Sequence, residues 1–354
     1  MNKEANEDNP KNFNPAVLKK IQQARKMRLS TEEYISGIIS ADITILSKAI
    51  TLIESNNPND FADANTIINA CLPKANKSIR IGITGVPGAG KSSFIEVYGK
   101  HLTSQGKKVA VLTIDPSSSI SHGSILGDKT RMEDLVKDSN AFIRPSASGE
   151  TLGGVARKTR ETITLCEAAG FDTIIIETVG VGQSETAVHS MTDFFLLVQI
   201  AGAGDELQAI KRGIMEMADA IVINKADGDN IEKAKLVKTE MNRALHYFPQ
   251  KKSGWSPKAI TCSTKTNEGI LEVSQIISEY IESTKNNGFF DRKRAEQNEY
   301  WLLETINENL KQDFFNHPQI QEALEKTKKA VQNDETSPFA AAQLLLETYF
   351  KNKS

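Results

Sequence analysis

Gly85, Val86, Pro87, Gly88, Ala89, Gly90, Lys91 and Ser92 form a G-x-x-x-x-G-K-[ST] pattern, with Ser93 next. The β-rich apolar run Ile79–Thr84 leads into it, and a helical stretch, Ser92–Thr103, leaves it. Strand, glycine-rich loop and helix in that order predict a loop whose backbone amides wrap a phosphate. Glycine lets the backbone curl around phosphate oxygens without a Cβ clash, and the helix N-terminus adds positive potential. Lys91 can neutralise β- and γ-phosphate charge, and Ser92 can ligate Mg²⁺. A chance glycine-rich turn would not need a strand on one side and a helix on the other.

A loop of this kind sits in an alternating α/β chain, and the rest of the sequence has that grammar. Further apolar runs fall at Val109–Ile114, Thr173–Ile176, Phe194–Ile200, Ala220–Ile223 and Ala259–Thr261. Helical patterns lie between several of them, among them Leu152–Ala169 and Ile231–His246. The fold class expected is α/β: a P-loop NTPase with a mostly parallel central sheet flanked by helices, plus N-terminal and C-terminal helical extensions. Residues 1–13 are expected to be a disordered arm. Residues 14–77 form the N-terminal extension, 78–287 the nucleotide domain and 288–354 a C-terminal helical region. Ser30 and Glu33 match a capping box, and Ser337-Pro338 matches a helix start. Leu303, Ile306, Leu310 and Phe314 track one face of a helix, which suits either a subunit interface or the chain's own core.

With 354 residues, 43 Lys+Arg and 45 Asp+Glu, the net charge is −2. No bulk charge points to nucleic acid or to an anionic membrane. No run of about 18 apolar residues predicts a membrane span. The polar N-terminus lacks the apolar segment of a secretory signal. Cys71, Cys166 and Cys262 lie far apart, which suits a reducing, cytoplasmic setting.

The run Ala220–Ile223 ends in Asn224, Lys225, Ala226 and Asp227, which resembles the NKxD guanine-recognition motif of GTPases. An Asp carboxylate accepts from guanine N1–H and the exocyclic N2–H₂; adenine lacks both donors in that arrangement. Asn224 is expected to tie this loop to the phosphate loop, and Lys225 to lay its stem along the base. Ser263, Thr264 and Lys265 resemble the loop that touches the guanine O6 through backbone N–H. Glu177 follows a strand, where a carboxylate can hold Mg²⁺. Gly180 can offer its amide to the γ-phosphate. Asp115 and Asp128 are further candidates for the metal or the attacking water. Asp205 and Gln208 suit the cap of a helix over 206–216.

These strings resemble the MeaB/ArgK family of methylmalonyl-CoA mutase-associated GTPases. The resemblance rests on GVPGAGKSSF at 85–94, DPSSS at 115–119, GSILGDKTRM at 123–132, ETVGVGQSETAV at 177–188, AGAGDELQAIKRGI at 201–214 and NKAD at 224–227. It implies a GTPase that turns GTP into GDP and phosphate with Mg²⁺. It also implies a chaperone that gates adenosylcobalamin delivery to an acyl-CoA mutase, methylmalonyl-CoA mutase above all, and protects that enzyme. It further implies a homodimer built through the C-terminal helices. Segments 115–132, 177–190 and 201–213 match three switches, the third answering to the mutase.

Besides a GTP-dependent scaffold whose turnover is only a timer, two other readings stay open. One is a P-loop kinase linked to basic amino-acid transport, against which the NKAD sequence argues. The other is a nickel-insertion GTPase, which needs a Cys/His cluster that the sequence does not display. Asp227→Asn is expected to move preference from GTP to xanthosine triphosphate in competition assays; an unchanged preference for GTP refutes the base assignment.

Overall fold

The computed structural model describes residues 29–114, 132–145, 152–178, 184–201 and 212–351. It opens with α1 (Thr31–Ile39), α2 (Ile43–Ile53) and α3 (Pro58–Cys71). The capping box at Ser30 forms: the Glu33 amide donates to Ser30 Oγ at 3.2 Å, and the Ser30 amide to Glu33 Oε2 at 2.7 Å. Asp42 starts α2 by accepting from the amides of Thr44 and Ile45. Such caps satisfy amides that have no partner inside the helix.

The alternating part runs β1 (Ile79–Gly85), α4 (Lys91–Ser104), β2 (Val109–Ile114), β3 (Ala141–Arg144), α5 (Leu152–Ala168) and β4 (Thr173–Thr178). It continues with α6 (Ser184–His189), β5 (Phe194–Ile200), α7 (Arg212–Met217), β6 (Ala220–Asn224), α8 (Ile231–His246), β7 (Lys258–Thr261) and α9 (Ile270–Asn286). The seven strands form one sheet in the order β3-β2-β4-β1-β5-β6-β7, and every pairing is parallel. The sheet is therefore wholly parallel, and β3 is a strand that the apolar runs did not disclose. Its run, Ala141 to Arg144, ends in a charged side chain, and the strand is defined by its pairing with β2.

Alternation along buried strands divides the core. Ile174 and Ile176 of β4 face one layer with α5 and the three N-terminal helices, which contribute Ile38, Leu46, Ile50 and Ile67. Ile175 faces the other layer, with Phe94 of α4 and Val273 and Ile277 of α9. Covering both faces is what a parallel sheet of continuous apolar strands requires.

Three helices close the described chain: α10 (Phe289–Asn316), α11 (Pro318–Gln332) and α12 (Pro338–Lys351). Ser337 Oγ accepts from the Ala340 amide at 3.1 Å at the start of α12. Phe290, Arg294, Gln297 and Trp301 give α10 its buried stripe. The stripe expected from Leu303, Ile306 and Leu310 does not pack on the chain's own core: these side chains are 54%, 46% and 58% exposed. Phe314 turns instead toward Tyr349 of α12.

Charged groups lock α10 to the base of the sheet. Arg294 donates to both carboxylate oxygens of Asp193, through Nε at 2.8 Å and Nη2 at 2.6 Å. Asp193 also accepts from the Arg80 amide, and the Arg80 guanidinium pairs with both oxygens of Glu167. An acidic residue directly before an apolar strand was the sequence signal available for Asp193 and, before β6, for Asp219. Removing one partner of a buried pair strands the other charge at a cost of about 3–5 kcal/mol. Arg294→Met is expected to lose about that much stability in urea unfolding. Adding Asp193→Asn should recover most of it, because the amide keeps an acceptor for the Arg80 N–H without the charge. A loss below about 1 kcal/mol would show that the pair is not what seats α10.

Candidate nucleotide-binding site

Parallel strands bring their C-terminal ends to one edge, and the candidate residues gather there. The loop from Gly85 to Gly90 leaves the end of β1 and enters α4. Two glycines have defined reasons. Gly85 has φ +154°, and a Cβ there would come 2.0 Å from the Val198 carbonyl oxygen of β5. Gly90 caps α4 at φ +83°, where a Cβ would lie 2.7 Å from Asn224 Nδ2. Because Gly90 has no capping side chain, the first-turn amides of α4 are available to an anion. Lys91 is buried, and its ammonium donates to the carbonyls of Gly85 at 2.9 Å and Val86 at 3.4 Å. Such a charge inside the loop can turn to a phosphate oxygen. Val86 is half-buried, Pro87 and Gly88 are exposed, Ala89 is buried, and Ser93 faces solvent.

Ser92 Oγ donates to Glu177 Oε1 at 3.1 Å. The sequence placed Glu177 after its strand; it lies within β4, paired with Ile83 and Thr113, and is buried. Its neighbour Thr178 donates to Thr84 Oγ1 at 2.9 Å, an unforeseen bond between the strands that carry the loop and the carboxylate. A hydroxyl and a carboxylate side by side are hard oxygen donors that fit Mg²⁺, which keeps several waters and phosphate oxygens as its other ligands. Asp115, Asp128 and Gly180 lie outside the described residues, as do 202–211 with the cap expected at Asp205 and Gln208. Asp115 follows Ile114, the last residue of β2, which pairs with Thr178.

The loop after β6 reaches both the phosphate loop and the loop after β7. Asn224 is buried, and its Nδ2 donates to the Ala89 carbonyl at 2.9 Å, joining this loop to the phosphate loop. Lys225 adopts a left-handed conformation, φ +58°, and its ammonium reaches the Gly88 carbonyl at 2.9 Å. Ser263 Oγ accepts from the amides of Lys265 and Thr266, both at 3.2 Å. Its single proton goes to Asp227 Oδ2 at 2.7 Å. The Asp227 carboxylate is thereby held through Oδ2. The Lys265 amide is directed at Ser263, Thr264 is half-buried and the Lys265 side chain is exposed. Burial pushes the Cys262 thiol up to about 12, so this cysteine packs and does not react at neutral pH.

Phosphate loop, metal-side pair and oriented carboxylate thus converge from residues far apart in sequence. The family described as "Methylmalonyl Co-A mutase-associated GTPase MeaB" matches residues 46–319. The chain belongs to the MeaB family. A methylmalonic aciduria type A homolog, mitochondrial, of Mus musculus is 43% identical over 89% of this chain and 78% of its own length. GTPase ArgK of Escherichia coli is 42% identical over 89% of this chain and 95% of its own. Among solved structures, one titled "LAO/AO transport system kinase" superposes with a TM-score of 0.72 at 36% identity, covering 90% of this chain and 97% of that one. By family and by fold this MeaB member is a P-loop GTPase. Among the described residues there is no group of three or more His, Cys, Asp and Glu side chains placed to hold a metal.

Asn224→Ala removes the bond to Ala89 and with it the link between the two loops. A buried hydrogen bond of this kind contributes about 1 kcal/mol. The variant is expected to bind GDP several-fold more weakly by calorimetry with little change in melting temperature; unchanged affinity would show that the link is dispensable.

Proposed function

We propose that this MeaB GTPase is a GTP-hydrolysing chaperone that gates delivery of adenosylcobalamin to methylmalonyl-CoA mutase and protects that enzyme. The family match over 46–319 carries the partner assignment, since the family is defined by association with that mutase. The name of the mouse relative, a methylmalonic aciduria type A homolog, supports it. The Asp227–Ser263 bond supports guanine selection, because an oriented carboxylate left without its donors is costly in a closed site.

In this reading the nucleotide lies across the C-terminal edge of the sheet. Asp227 accepts from guanine N1–H and N2–H₂. The loop amides and Lys91 hold the phosphates. Ser92 and Glu177 would hold Mg²⁺, which would supply charge neutralisation to the phosphate oxygens. Asp115 and Asp128 help to arrange the metal and the water, Gly180 offers its amide to the γ-phosphate, and Thr264 and Lys265 border the base. A water oxygen bonds to the γ-phosphorus as the bond to the β–γ bridging oxygen breaks; the products are GDP and inorganic phosphate. Positioning and electrostatic stabilisation supply most of the acceleration.

The exposed apolar side chains of α10, with Phe339 and Leu344 of α12, support a homodimer through the C-terminal helices. No helix of the described residues is long and apolar enough to cross a membrane. We place the protein in the cytoplasm with the mutase.

GTP and ATP turnover, measured with and without an adenosylcobalamin-dependent acyl-CoA mutase, tests this reading. GTP-selective hydrolysis that rises at least several-fold with methylmalonyl-CoA mutase is expected. Turnover indifferent to the mutase overturns the partner assignment, and a preference for ATP revives the kinase reading.

A further inference from the structure

The opposite edge of the sheet holds a cavity of about 720 Å³. It opens beside Asp219, which precedes β6, and Trp255 and Pro257, which precede β7. It is thus separated from the phosphate loop by the length of the strands. Cavities that hold small molecules span about 300–1,000 Å³ and combine apolar walls with a few placed polar groups. Here Trp255, Tyr280 and Phe248 supply aromatic walls.

The charged groups lining the cavity are Lys251, Lys252, Lys293, Glu216 and Asp219, three cations against two carboxylates. Two histidines also line it. Burial pushes His189 down to about 4, so it is neutral at physiological pH; His246 is exposed. Lys251 is spent: it donates to Asp219 Oδ1 and to the carbonyls of Met217 and Ala218. Lys252 and Glu216 are exposed at the rim.

Lys293 differs. It is half-buried, and its ammonium donates to the main-chain carbonyl of Asp193 at 2.8 Å. Arg294 donates to both oxygens of the Asp193 carboxylate, whereas the Lys293 ammonium lies on the main-chain carbonyl. Among the described residues Lys293 has no carboxylate within ion-pair distance. Burial also pushes its ammonium below the usual lysine range. The charges of Asp193 and Asp219 offset this in part, but those two carboxylates are already paired with Arg294 and Lys251, so three cations share two carboxylates and one positive charge is in excess beside the cavity.

We propose that this cavity binds a small organic monocarboxylate, its carboxylate on Lys293 and its planar apolar body between the aromatic walls. The residual charge of the lining selects a single negative charge. A dianionic phosphate would leave one charge uncompensated beside the buried Asp219. The site goes beyond the GTPase reading and stands whether or not the mutase is the partner.

Calorimetry with 2-naphthoate on the full chain tests the proposal, with saturating GDP and Mg²⁺ so that the nucleotide edge is filled. Saturable one-site binding is expected. The neutral 2-naphthamide and the dianionic 2-naphthyl phosphate should each bind at least tenfold more weakly. Lys293→Met should weaken 2-naphthoate at least tenfold while GTP turnover and the melting curve stay near those of the parent chain. Absence of saturable binding, equal affinity for the amide, tighter binding of the phosphate, or an unaffected Lys293→Met protein each overturn the proposal. Should Lys293→Met fail to fold, the comparison of the three ligands on the parent chain decides alone.

Discussion

Parallel pairing of all seven strands is the constraint on which the rest of the molecule depends. It sends every strand C-terminus to one edge and every N-terminus to the other, so the two edges acquire different chemistry. It also buries the central strands on both faces, which requires helices above and below. With β1 between β4 and β5, the loop after β1 emerges beside the carboxylate of Glu177 on one side and the backbone of Val198 on the other. The missing side chain at Gly85 follows from that placement: the neighbouring strand's carbonyl takes the space a Cβ would need.

At the base of the sheet the same geometry poses an electrostatic problem. Strand starts leave amides without ladder partners, and Asp193 and Asp219 accept from the second residues of neighbouring strands, at Arg80 and Phe195. Carboxylates in such a place need cations. Arg294 arrives from α10 and Lys251 from the loop before β7. The pairs join distant parts of the chain into one body, and with Lys293 close by the cations exceed these two carboxylates by one. Buried pairs of this kind add little net stability over apolar packing, but losing half of one is costly. They serve here to seat one helix in one place.

Much of the architecture was legible because it is written in local pattern. The runs Val109–Ile114 and Phe194–Ile200 are strands with those bounds, and Ile231–His246 is a helix with those bounds. Side-chain periodicity and capping residues act within a few positions, so they survive in a linear reading. The strand Ala141–Arg144 did not, since its apolar run stops at the charged Arg144 and its pairing with β2 defines it. Leu303, Ile306 and Leu310 were legible as a stripe but not as an exposed one, because amphipathicity does not name the surface that will cover it.

The site divides in the same way. By itself the sequence determined the chemistry of each piece: a glycine-rich turn that cradles phosphate at Gly85–Ser92, and a carboxylate suited to guanine at Asp227. Only the tertiary structure decided which pieces meet. It set Ser92 against Glu177 and the proton of Ser263 on Asp227, and it chose Ala89 as the point where Asn224 makes the expected tie to the phosphate loop. It likewise gave Asp193 to Arg294 and left Lys293 facing a cavity. The physical reason is that a side chain's valence for charge or hydrogen bonds is local, whereas its partner is chosen by the packing of strands and helices far away in sequence.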